Sequence, residues 1–198
     1  MDVQKSHTLL ARSIHWSFIL LYLYGIFKQV NELEELEDTN LFLFEIVFAT
    51  VFLVIVILRY SYMSRFKTFL GAREPVHIVH YYFARSVHKA MYVVFILLPL
   101  SGLMIAALYT KGYQDEDGLL IGATLGIHEF AAVASYVLIA THIAAAIYSR
   151  IKGEGVWSSM VPILNEEKPT ENEMVKKIAA IEEKMYDKVE SLFSRDKA

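Results

Sequence analysis

Four long apolar stretches, residues 14–27, 41–58, 90–108 and 119–148, constrain what this 198-residue chain can fold into more than any other feature. With their flanking residues, each reaches the roughly 20 residues that a helix needs to cross a hydrocarbon core about 30 Å thick. The chain is 55% hydrophobic and 13% aromatic, and its mean hydropathy is +0.37. That is too apolar for a soluble domain of this size. The expected fold is all-α: an integral membrane four-helix bundle followed by a C-terminal amphipathic helix.

Charge distribution sets the expected orientation. Segment 31–40, NELEELEDTN, carries five carboxylates, and segment 110–118 carries Asp115, Glu116 and Asp117 against Lys111. Both are expected outside. The middle loop holds Arg59, Arg65, Lys67, Arg73, Arg85 and Lys89, with Glu74 alone opposing them; Lys5 and Arg12 flank the first span, and Arg150 and Lys152 the last. The positive-inside rule then puts both termini and the middle loop in the cytoplasm. The first span has no short apolar core followed by a small-residue cleavage site, so it reads as a retained helix.

The spans are expected at residues 8–30, 41–62, 85–109 and 119–151, with Pro99 and Gly102 kinking the third. Between them, residues 64–84 read as a short interfacial piece broken by Gly71 and Pro75. Residues 1–155 form the expected transmembrane domain, and 156–198 a cytoplasmic linker and tail. In the tail, Met174, Ile178, Ile181, Met185, Val189 and Leu192 recur at helical spacing. Such a helix, expected over 171–193, could lie on lipid, on the basic loop or on a partner subunit.

The chain has no cysteine. Disulfides, thiolate-ligated iron, iron–sulfur clusters and a covalently attached c-type haem are therefore excluded, and histidine is left as the main strong ligand. His128 and His142 lie fourteen residues apart in the fourth span. Two heptads return both imidazoles to nearly one helix face, displaced by roughly 21 Å along the axis. Ionisable side chains in a membrane are expensive and mark functional sites. Haem iron held by histidine is the chemistry that best fits.

A low-spin b-type haem needs two axial ligands at one depth on different helices, and His15 with His142 meets that condition on the cytoplasmic side. His88 could compete with His15, contact a haem propionate or a quinone head group, or simply sit at the interface beside Arg85 and Lys89. Arg12, Arg85 and Lys89 are candidate partners for propionates, although the positive-inside rule alone accounts for basic residues there. Ala131, Ala132, Ser135 and Ala144 to Ala146 line the fourth span with small residues. These permit either close helix packing or room for a macrocycle, and beside the two histidines they favour the macrocycle. His77 and His80 read as loop residues, and His7 as a terminal residue without a role.

The IHW at residues 14–16, Arg59 closing the second span, HKAMYVVFILLPLSGLM in the third, and HE followed by a histidine fourteen residues after the first together resemble the bacterial cytochrome b561 and nickel–iron hydrogenase cytochrome b group. That group is similar in turn to the membrane subunit of respiratory formate dehydrogenases. The resemblance, over residues 6 to about 155, implies an inner haem b on His15 and His142. It also implies an outer haem on His128 and a second-span histidine, but the position fourteen residues before Arg59 is Glu45. Open outcomes are a haem held by His128 alone or with a weak carboxylate or Met104 ligand, no outer haem, or a proton-handling Glu45–His128 pair. Glu45 also lies only about 6 Å inside its helix, where it could snorkel.

The expected function is electron transfer between a redox partner and the quinone pool, in contact with membrane lipid and with a dehydrogenase, hydrogenase or cytochrome c partner subunit. Nothing points to nucleic acid. Two alternatives stand beside it. One is a stand-alone quinone-linked oxidoreductase, for example one oxidising superoxide, which the outer carboxylates would repel. The other is a membrane anchor with degenerate haem sites.

Overall fold

The computed structural model describes residues 7–28, 39–65, 71–164 and 168–195. The carboxylates of residues 32–38, with Lys5 and Lys67, lie outside them. Among the described residues six helices follow in order: α1 (Leu9–Phe27), α2 (Thr39–Met63), α3 (Ile78–Thr110), α4 (Leu119–Lys152), α5 (Val156–Met160) and α6 (Glu173–Arg195). The first four are long and apolar enough to cross a membrane. Among the described residues there are no strands. At about 1.5 Å per residue, α3 and α4 each run for roughly 50 Å, longer than a bilayer core.

Local chemistry explains where the helices begin. Thr8 Oγ1 accepts from the Ala11 N–H at 3.1 Å, capping α1. Asn172 Oδ1 does the same for α6, accepting from Met174 at 2.9 Å. Helix α3 starts seven residues before the expected position, because His77 caps it. His77 Nδ1 accepts from the Val79 N–H at 3.2 Å, and its carbonyl accepts from Tyr81 at 2.9 Å. Residues 78–84 are thus the first two turns of α3 and not a separate interfacial piece, and His80 is helical.

The chain divides into two compact units. One comprises residues 13–65 and 90–139. Its centre is aromatic: Phe18, Tyr22, Phe52 and Phe95 are all buried, with Phe18 lying 4.9 Å from Phe95 and 5.3 Å from Phe52 between ring centroids. Tyr22 and Ser135 share a hydrogen bond of 2.5 Å inside this cluster. Ser135 also donates to the Ala132 carbonyl at 2.6 Å, so its single proton goes there and Tyr22 is the donor of the pair. Ala131 and Ser135 are completely buried, so the small residues at the middle of α4 serve close packing. Ala144 and Ala145 are exposed. A second cluster in this unit packs Phe42, Leu108, Tyr109 and Leu125 around Ile105 and Ile121.

The other unit comprises residues 1–12, 66–89 and 140–198. Here α6 docks on the start of α3 and the end of α4. Tyr186 stacks on His77 at 5.4 Å and lies 5.6 Å from His80. With His77 Nδ1 occupied by the cap, Nε2 carries the proton and faces Glu190 at 3.3 Å and Asp187 at 3.4 Å. Glu182 accepts from Lys152 at 2.9 Å, Tyr148 at 3.0 Å and Tyr186 at 2.7 Å. The short helix α5 follows Gly155, whose φ of 91° suits glycine. A Cβ there would stand 2.6 Å from the Gly71 carbonyl oxygen, leaving no room for a side chain.

Burial by itself pushes the Glu182 carboxyl up, but the hydrogen bonds from Lys152, Tyr186 and Tyr148 outweigh it and hold the group below the usual carboxylate range. A carboxyl lowered by folding contributes stability that is complete above its unfolded value, about 4.3, and is lost as pH falls through the lowered value. Docking of α6 is therefore expected to weaken in acid, seen as faster amide exchange along α6. Glu182→Gln should weaken it at neutral pH by about 1–2 kcal/mol.

Candidate functional site

The chemistry-bearing residues sit on α1 to α4, and the contacts of each histidine define what it can do. His128 projects from α4 onto α3. Its Nδ1 lies 2.9 Å from Ser101 Oγ, and Ser101 donates its only proton to the carbonyls of Leu97 and Leu98, at 2.8 and 2.9 Å. Ser101 therefore accepts from His128, which puts the imidazole proton on Nδ1 and leaves the Nε2 lone pair unprotonated. A Cβ on Gly102 would stand 3.4 Å from His128 Cε1. Gly102 thus gives the imidazole its seat on α3, where the sequence suggested a kink.

Glu45 does not meet His128. It forms an ion pair with Lys28 at the end of α1, and Lys28 lies over the Phe44 ring at 4.1 Å. The proton-handling Glu45–His128 pair is not formed. Met104 is exposed.

His15, on α1, meets a residue that the sequence reading used only as a landmark. Arg59 Nη2 lies 2.6 Å from His15 Nδ1. The guanidinium also packs over Phe18 at 4.9 Å and Tyr92 at 5.8 Å. Its Nε is buried without a hydrogen-bond partner, and among the described residues no carboxylate pairs with it. A half-buried arginine lacking an anion is costly, and its planar fork suits a carboxylate. The signal was available: Arg59 is the one charge in the α2 run FATVFLVIVILRYSYM.

Arg59 can only donate, so His15 Nδ1 accepts and the proton sits on Nε2. A neutral imidazole binds iron through an unprotonated nitrogen. While Arg59 donates to Nδ1, Nε2 holds the proton; with the proton moved to Nδ1, Nε2 would offer its lone pair.

His142 and His88 are brought together. Their ring centroids are 5.1 Å apart at 64°, and each lies ten residues from the end of its helix. Arg85 and Lys89 are exposed beside His88. Arg12 donates from Nε and Nη2 to the His7 carbonyl, at 3.3 and 3.2 Å. His7 is itself buried, and its N–H donates to the Ser159 carbonyl at 3.3 Å. It therefore ties the N-terminal segment to α5. His77 and His80 serve α6, and among the described residues no cluster of three or more metal-ligating side chains forms.

The imidazoles, with a half-buried guanidinium that lacks an anion among the described residues, fit the donor set of a haem carrying propionates. A family model described as prokaryotic cytochrome b561 matches residues 6–162. No curated protein and no solved structure matches the chain. A fold of four membrane-spanning helices, histidines on three of them and a match across most of the chain lead to one conclusion: the chain belongs to the prokaryotic cytochrome b561 family.

Proposed function

We propose that this multi-pass membrane cytochrome carries single electrons between a redox partner subunit, of dehydrogenase, hydrogenase or cytochrome c type, and the quinone pool. The family is one of membrane b-type cytochromes acting in electron transfer. Haem b supplies the one-electron iron couple, and the protein tunes it through ligands, burial and hydrogen bonds.

In this reading His142 is one axial ligand of the inner haem, and His15 is the second, as the family resemblance implies. Arg59 receives a propionate and so leaves His15 Nδ1 free to carry its proton. Arg12 stands nearby in sequence as a further basic contact. The protein carries one haem: His128 is oriented for a ligand's role, but Glu45 is committed to Lys28 and supplies no second imidazole. Residues 1–155 form the cytochrome domain, 156–198 its cytoplasmic tail, and both termini lie on the cytoplasmic side of the bacterial inner membrane.

The observation that carries the quinone assignment is His88, 5.1 Å from His142. A second imidazole against a haem ligand, near the basic end of its span, is placed to hydrogen-bond a quinone carbonyl. The test is re-oxidation of chemically reduced protein in vesicles on adding quinone, followed by loss of the reduced haem band. His88→Ala should keep the haem spectrum and slow re-oxidation by about tenfold or more. A reduced haem indifferent to quinone would overturn the reading.

A further inference from the structure

We infer that α6 is a membrane-surface helix: its apolar stripe lies in the lipid at the basic ends of α3 and α4, and a row of lysines beside the stripe engages anionic headgroups.

Docking of α6 within its unit leaves the apolar stripe uncovered. Met174, Ile178, Ile181, Met185 and Leu192 are between 48% and 72% exposed. In water a stripe of this kind is a liability. The docking contacts come from another face, the row Glu182, Tyr186 and Glu190. At about 100° per residue, that row lies roughly 100° around the helix from the centre of the stripe. A helix held from its side has its apolar face at right angles to that contact. This is the arrangement of a rod lying flat on a membrane beside the spans that hold it.

Two further observations fix the occupant as lipid. Glu182 is anchored by Lys152, the last residue of α4, and by Tyr148 one turn inside that span. The anchor therefore lies where the span leaves the membrane. Lys177, Lys184 and Lys188 are exposed and form a row roughly 75° from the stripe on the side away from the docking face. Lysines flanking an apolar stripe reach phosphates while their stems stay in lipid, as in amphipathic helices that bind anionic membranes.

The chain lacks cysteine, so single labels can be placed cleanly. Nitroxides at Ile178→Cys, Ile181→Cys and Met185→Cys are compared with Glu183→Cys on the opposite face. The full protein is reconstituted in phosphatidylcholine vesicles with or without phosphatidylglycerol. With phosphatidylglycerol, the stripe labels should be several-fold more accessible to oxygen than to a water-soluble nickel complex, and the Glu183→Cys label the reverse. Removing phosphatidylglycerol, or replacing the three lysines with glutamine, should lower the surface-bound fraction by up to about fivefold per lysine. Stripe labels as open to nickel as the Glu183→Cys label would overturn the inference. So would protection from both reagents whatever the lipid, which would mean that a protein covers the stripe.

Discussion

Replacing His142 with alanine should remove the haem absorption of the purified chain, lowering haem content by at least about tenfold. The reason lies in the donor set. A low-spin haem needs two axial imidazoles, so losing one leaves the iron without its ligand pair. His88 lies beside His142, and the variants separate their roles. His15→Ala should disturb the low-spin spectrum as His142→Ala does, while His88→Ala should not. If His88 were the second ligand, these two outcomes would exchange.

The second large effect is expected at Arg59. Arg59→Gln should lower haem retention by about ten- to a hundredfold, the range for groups that orient ligands without binding metal. Two losses combine. Glutamine offers a propionate no charge, and it can accept as well as donate, so it no longer acts toward His15 as a donor alone. Arg59→Lys restores the charge without the planar fork and should fall between. Haem per polypeptide after detergent washing reads the effect directly. Equal retention in all three proteins would remove Arg59 from the site.

Much of the fold was legible because the strongest signal, long apolar runs, is local. Helix α4 ends within one residue of expectation, since Gly118 and Gly153 bound an uninterrupted run. What was missed depends on distant contacts. The start of α3 reads as interfacial, because its aromatic and β-branched residues are helical through the His77 cap and the packing of α6. Helix α5 depends on Gly155 fitting under Gly71, a contact that sequence spacing does not announce.

The site divides in the same way. Histidine positions follow from spacing, but their partners do not. Arg59 lies 44 residues from His15, and Lys28 reaches Glu45 from 17 residues away. Gly102 appears in the sequence as a helix breaker; its purpose shows only once the His128 ring stands over it. The C-terminal helix had three possible partners on its pattern alone, and the Glu182 and His77 contacts show that one side of it rests on the ends of α3 and α4.

The central claim is a b-type cytochrome with one histidine-ligated haem and an outer site left incomplete by Glu45. Haem per polypeptide, measured as the pyridine haemochrome of protein purified from haem-replete cells, tests it most directly. The account predicts a value near one. A colourless preparation would contradict the cytochrome reading, and a value near two would contradict the asymmetry between His142 and His128.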